Sequence, residues 1–302
     1  MTKRILVIAN KWFEVDPLVA VLANSQARPS AITNLEYVFS SQEVPAAPPE
    51  APNPRQRFQV AGYMVEVWCI QDLMNGAKAG GYSNTQEKAR VLPEVFSYEA
   101  ELPALVVAFG TAASMPDGLI MNGSVRIGSA VFLHDPFASD STLPESPSHW
   151  NDPGKLDKVI NSTLPATFFD ALTPTLIGPL NAKLLPPATR YNALAVDIDP
   201  AGVAVSTVNV TDTSLFPKTD PQSLEAAQKA GIETIASFES THGLIRVQSE
   251  APFLFVSGIT NRMGHFADEV QPYLYAENFV ASHNAGIALA GLLPLAAKIL
   301  AG

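Results

Sequence analysis

Two short segments in the C-terminal third of this 302-residue chain carry residue types that could do chemistry together. Phe238-Glu239-Ser240 puts a carboxylate just before a helix start. About one helix further on, Pro252-Phe-Leu-Phe-Val-Ser-Gly-Ile-Thr-Asn261 begins as a buried strand and ends in polar residues at its carboxyl edge. Ligands in open α/β sheets bind beyond such edges. An acid and an amide sharing one crevice can hold a sugar and a base. Two further places belong with them. Glu14 follows the apolar run Ile5-Leu-Val-Ile-Ala9. It either opens onto the same crevice or sits as a dipole-favoured acid in a helix's first turn. Gly110-Thr111-Ala112-Ala113 follows the apolar run Ala104–Phe109. These small residues either let backbone N–H groups approach a ligand or make a tight strand-to-helix turn.

Other chemical signatures do not occur in the sequence. There is no Gly-x-x-x-x-Gly-Lys-Ser/Thr loop and no Gly-x-Gly-x-x-Gly after the first strand. His134, His149, His242, His265 and His283 lack metal-ligand spacing, so no metal is expected. Ser114 is not part of a Gly-x-Ser-x-Gly elbow. Asp197 and Asp199 resemble a metal pair less than a turn, because Asp197-Ile-Asp-Pro-Ala-Gly202 reads as a hairpin between two strands. No cofactor is expected.

Charge and composition narrow the partners. With 29 acidic and 19 basic residues the formal charge is −10, and no Lys/Arg run appears. Binding to a nucleic-acid backbone calls for a basic footprint, so nucleic acid is not expected as a partner. A small substrate in a local pocket is compatible with an acidic average. Cys69, the one cysteine, lies in an alternating strand-like run and reads as a buried, inert thiol. The apolar run at residues 5–9 is too short for a secretory leader. The tail from Ala285 to Ala301 is interrupted by Pro294 and Lys298 and is shorter than the roughly 20 residues a bilayer requires, so it reads as a packed terminal helix. The expectation is a cytoplasmic protein without membrane contact. In such a chain the Asn-x-Ser/Thr triplets at Asn122, Asn161 and Asn209 stay unmodified.

The elements that must position these residues alternate. Buried strands are expected at Ile5–Ala9, Tyr63–Ile70, Ala104–Phe109, Ser129–His134, Ala193–Ile198, Val203–Val210 and Pro252–Ile259. Helices are expected at Pro17–Ala23, Gln86–Ala100, Leu156–Leu172, Pro221–Ala230, Ser240–Ser249 and Glu277–Ala301. This alternation predicts a three-layer α/β/α sandwich around a central mixed sheet. The whole of residues 1–302 reads as one domain, with proline-rich surface loops near 44–58 and 136–154.

At these same residues the chain resembles the nucleoside phosphorylase superfamily, including the 5′-methylthioadenosine/S-adenosylhomocysteine nucleosidases. Ile5 to Val15 is similar to the family's opening strand and the acid after it. Val106-Val-Ala-Phe-Gly-Thr-Ala-Ala113 is similar to its strand followed by Gly-Ser/Thr-x-Gly/Ala. Asn122 to Asp135 follows the pattern of a strand ending in His-Asp, Phe238-Glu239-Ser240 resembles Met-Glu-Ser/Ala, and Pro252 to Asn261 resembles the strand ending in Ser-Asp or Thr-Asn. The resemblance implies cleavage of the N-glycosidic bond of a purine nucleoside. Glu239 would bind the ribose hydroxyls, Glu14 would activate water, and Asn261 with Thr260 would meet the base. Phe238 would pack on the ribose, and Gly110, Thr111 and Ala112 would line the nucleophile side. It also implies a homo-oligomer. The chain departs from the pattern in three ways. Nucleosidases usually carry Asp where Asn261 stands. The arginine that many phosphorylases place before the Gly-Ser turn is Ala108, and their N-terminal phosphate-binding glycine and arginine are missing. Asn261, with Ser257 before it, fits the 6-oxopurine phosphorylases better, whereas Glu14 would repel phosphate. The balance favours water slightly, with phosphate as co-substrate if the protein is a phosphorylase. Arg90 or Arg126 would then have to supply the anion site. Two rivals are a nucleoside- or purine-binding protein without catalysis and an interaction protein working through its proline-rich loops.

Overall fold

The computed structural model describes residues 3–24, 39–44, 52–76, 85–138, 154–210 and 213–302. Its elements in chain order begin with β1 (Arg4–Ala9), α1 (Trp12–Ala23), β2 (Ser40–Gln42), β3 (Gln56–Val60), β4 (Tyr63–Cys69), α2 (Ile70–Gly76) and α3 (Thr85–Ser97). There follow β5 (Leu105–Ser114), β6 (Val125–Gly128), β7 (Ala130–His134), β8 (Val159–Ile160), α4 (Ala166–Asp170), α5 (Pro174–Asn181), β9 (Ile198–Asp199) and β10 (Val203–Thr207). The chain ends with α6 (Phe216–Lys229), β11 (Ile235–Glu239), α7 (His242–Arg246), β12 (Phe253–Arg262), α8 (Phe266–Glu269) and α9 (Ala276–Leu300).

The strands form one mixed sheet in the order β2-β3-β4-β1-β5-β11-β10-β7-β8, with β12 branching from β5, β6 pairing with β12, and β9 with β6. An apolar run without alternation, such as β1, is stable only when both of its faces are covered. Side chains of a strand point alternately to the two faces. Accordingly Ile5, Val7 and Ala9 enter one core with Leu105, Val107, Phe109, Leu254 and Val256, under α1 and α9. Leu6 and Ile8 enter the other with Val106, Ala108, Phe253 and Phe255, under α3 and α7. The result is the expected three-layer α/β/α sandwich. In β12, Gly258 lets α9 come close: a Cβ there would collide with the Ala281 carbonyl.

β5 positions the site. Its first half pairs in parallel with β1, from Ile5↔Leu105 to Ala9↔Phe109. β1 then ends, and β5 continues until Ala113 pairs with Phe238 of β11 on that side. Along its other edge β5 pairs with β12. A crevice therefore opens beyond the carboxyl end of β1, between the strand ends and the helices that follow them.

Several sequence expectations need correction. Gly110–Ala113 is neither a turn nor a loop; β5 runs through it to Ser114, paired at every one of these residues with β12 or β11. β12 likewise runs past Ile259 to Arg262. Leu156–Leu172 is not one helix. Ile160 and Val159 pair antiparallel with Val131 and Phe132 at the sheet edge, and only Ala166–Asp170, after Pro165, is helical. In Ala193–Ile198 only Ile198 enters a strand, because the Asn192 side chain accepts the Leu194 amide and holds a turn. Asp197–Gly202 is no hairpin: β9 pairs with β6, whereas β10 pairs with β7 and β11. α1 starts at Trp12, ahead of the expected Pro17, and α7 is only the five residues His242–Arg246. α6 starts at Phe216, ahead of Pro221. Pro294 does not interrupt the last helix, which runs 25 residues and is mostly buried beside α1 and β12. Gln56–Phe58, placed within the first proline-rich loop, belong to β3. Residues 45–51 of that loop and 139–153 of the second lie outside the described residues.

Candidate active site

A cavity of about 440 Å³ fills the crevice. Glu14, Gly110, Thr111, Ala112, Phe238, Glu239, Thr260 and Asn261 all line it, brought together from three distant parts of the chain.

Glu14 sits in the first turn of α1 and is buried. Its Oε2 accepts the backbone N–H groups of Asn10 and Lys11, both at 2.9 Å. Its Oε1 accepts Thr111 N–H at 2.8 Å and the Thr111 hydroxyl at 2.9 Å. The cap reading and the crevice reading therefore hold together in one residue. The helix starts early because Glu14 takes up amides that would otherwise be orphaned. The amide of Thr111 is committed to Glu14 and is not free for a ligand. Gly110 permits this approach, since a Cβ there would stand 3.0 Å from Glu14 Oε1 and 3.5 Å from His242 Nε2.

Glu239 ends β11, opposite Ser206 of β10. One carboxylate oxygen accepts the Ser206 hydroxyl; the other accepts the backbone N–H of Thr241 and, at 2.6 Å, that of His242. Three donors thus fix the carboxylate at the start of α7. Phe238, directly before it, packs with Phe132, Val205 and Met263.

A β-bulge places the amide. Ile259 pairs with Ala112 and Asn261 with Ala113, so Thr260 is an extra residue in β12. Adjacent residues of a regular strand face opposite ways, and a bulge re-aims them. Here both Thr260 and Asn261 reach the cavity. The Thr260 hydroxyl donates to Asn261 Oδ1 at 2.8 Å, and Asn261 Nδ2 donates to the Arg262 carbonyl at 2.8 Å. Ala113 pairs with Phe238 on one side and Asn261 on the other, which sets those two backbones about 10 Å apart, two strand spacings.

The structure adds residues the sequence did not single out for this site. His242 is buried, stacks on Phe255 and holds Nδ1 3.4 Å from the Ser257 hydroxyl. Lys88 of α3 is fully buried on the cavity wall, donating to Ser240 Oγ at 3.2 Å and Thr241 Oγ1 at 3.0 Å. Burial above all, with the nearby Lys11 charge, pushes its pKa down to about 8, against the pull of Glu239 and Glu14. Phe216, Pro217 and Asp220 of α6 form a further wall. Lys88, His242, Phe216 and Asp220 are isolated residues on three separate helices, so no local spacing pattern marks them. Arg90 and Arg126 do not reach the cavity: Arg90 pairs with Glu87, and Arg126 with Asp197.

The cavity thus sits beyond the carboxyl end of β1, in a mixed sheet covered by helices on both faces. No protein-family model matches the sequence, and no curated protein matches it. Solved structures match over nearly its whole length. The apo 5′-methylthioadenosine nucleosidase of Arabidopsis thaliana is 14% identical, with 100% of this chain and 97% of that one covered and a TM-score of 0.57. The 5′-methylthioadenosine/S-adenosylhomocysteine nucleosidase of Colwellia psychrerythraea in complex with adenine is 14% identical, with 98% and 96% covered and a TM-score of 0.54. Futalosine hydrolase of Helicobacter pylori is 11% identical, with 97% and 98% covered and a TM-score of 0.52. At such identities the likeness is one of fold.

Proposed function

We propose that this protein cleaves the N-glycosidic bond of a purine nucleoside or close analogue, with water as the nucleophile. One observation carries the reading: Glu14, Glu239 and Asn261 open onto a single cavity in a fold shared with solved nucleosidases. Its volume of about 440 Å³ suits a small ligand.

Glycosidic cleavage builds positive charge on the sugar. Glu239 accepts the ribose 2′- and 3′-hydroxyls and presents a fixed negative charge to the developing cation. Its three donors preorganise it, so little reorientation is needed at the transition state. Glu14 takes a proton from the attacking water as general base. Gly110, Thr111 and Ala112 line that side. Phe238 packs against the ribose, and Asn261 with Thr260 hydrogen-bonds the base. Water is favoured over phosphate because the acidic side chains Glu14, Asp220 and Glu239 line the cavity and, among the described residues, no arginine does. Asn261, which cannot release a proton as Asp can, favours the second reading of a nucleoside-binding protein without turnover.

A panel of purine nucleosides incubated with and without phosphate tests the reading. Free base and free ribose appearing without phosphate is the expected result. Strict phosphate dependence rejects water, and micromolar binding without base release favours the second reading.

A further inference from the structure

The proposed cleavage leaves the departing base without an acid. A purine expelled as an anion is a poor leaving group, and protonation at N7 makes it a neutral one. Asn261 carries no acidic proton. Glu14 and Glu239 accept hydrogen bonds at both oxygens and stand on the water and sugar sides.

Asp220 differs from both. It lines the same cavity from α6, beside Phe216 and Pro217, and is 7% exposed. Its carboxyl makes no hydrogen bond or ion pair among the described residues. The polar neighbours on its helix are already engaged: the Thr219 hydroxyl donates to the Leu215 carbonyl, and the Ser223 hydroxyl pairs with Thr207. The other charged or titratable groups on the cavity are Lys11, Glu14, Lys88, Glu239, His242 and Tyr275, and on β7, against which α6 also packs, His134 pairs with Asp157. None of them forms an ion pair with Asp220. An ionised carboxylate buried without donors is costly, so such a group holds its proton. Burial alone raises the Asp220 pKa to about 7. An unpartnered protonated acid on a ligand cavity is a donor awaiting an acceptor.

We infer that Asp220 is the general acid that protonates N7 of the leaving purine. The inference rests on the glycosidase reading and supplies the group that reading lacks. In the step, the C1′–N9 bond breaks and its electron pair passes to the purine, which takes the Asp220 proton at N7. Water oxygen bonds to C1′, and the water proton passes to Glu14. Proton return through solvent from Glu14 to Asp220 restores both groups, and nucleoside plus water has become base plus ribose.

An N7-methylated purine nucleoside already carries the positive charge that protonation would supply. Full-length wild type and Asp220→Asn are compared on inosine and 7-methylinosine, and on adenosine and 7-methyladenosine. For the neutral nucleosides, kcat should fall roughly 100-fold or more in the variant, the usual weight of a general acid. For the methylated ones it should fall only a few-fold. Equal losses on both overturn the assignment while the glycosidase reading stands. Should the variant fail to fold, wild type alone decides. Its kcat/KM should fall above pH 7 for adenosine and not for 7-methyladenosine, which has no acidic ring N–H, and matching profiles overturn the assignment. Wild type releasing base from none of the four defeats the glycosidase reading, and the assignment falls with it.

Discussion

Glu14 and Thr111, 97 residues apart in the chain, are joined by two hydrogen bonds to one carboxylate oxygen, 2.8 Å from the amide and 2.9 Å from the hydroxyl. The contact ties the first helix to the middle of the sheet, and Gly110 makes room for it. Gly110→Ala should push Glu14 off this position. Overpacking at one methyl costs about 1–3 kcal/mol of stability, and a general base moved off line should lower kcat at least 10-fold. Circular dichroism and turnover measured together check this. Unchanged turnover in a folded variant would contradict a role for Glu14.

Glu239 gathers three donors at the end of its strand. Glu239→Ala should raise the barrier by roughly 3 kcal/mol, the weight of one preorganised stabilising group. Steady-state kinetics on the best nucleoside measures it. Wild-type turnover in that variant would remove Glu239 from the mechanism.

Stability should depend on pH through Asp220. The folded protein keeps this proton up to about pH 7, whereas the unfolded chain releases it near the ordinary value of 3.8. Between these values the folded state binds more protons, so stability falls as pH rises, and the loss is complete above about pH 7. Asp220→Asn removes the effect. Urea unfolding at pH 5 and pH 8.5 should show the variant gaining on wild type by about 2–4 kcal/mol. Glu277, whose pKa burial also raises to about 7, contributes to both proteins and cancels. Parallel pH profiles would contradict the prediction.

Cys69 is buried, and burial, with the Asp72 charge second, pushes its thiol up to about 12. Thiolate is the reactive form. Folded protein should therefore resist iodoacetamide at pH 8 for hours and react within minutes once unfolded. Rapid alkylation of the folded protein would show the site to be open.

The sequence is most legible where burial is complete. β1, β5 and β12 carry apolar residues on both faces, and their runs announce strands whatever surrounds them. Local patterns failed where a distant partner decides the structure. Gly110–Ala113 reads as a turn by composition, yet pairing with β12 keeps it extended. Leu156 to Leu172 has near-helical apolar spacing, but β7 offers Ile160 an open edge and Pro165 stops a continuous helix. Glu14, Glu239 and Asn261 stand out because each follows or ends a strand. Lys88, His242 and Asp220 are single polar residues whose meaning comes from what packs beside them, and neither neighbour nor burial is written locally.

The central claim is that residues 14, 239 and 261 surround one nucleoside. A crystal structure of the full chain with a purine nucleoside analogue whose C1′ link cannot be cleaved tests it most directly. The predicted density has the 2′- and 3′-hydroxyls on Glu239, the base against Asn261 and Thr260, and a water between Glu14 and C1′. Density for the analogue elsewhere on the protein, or a cavity left without it at saturating concentration, would contradict the account.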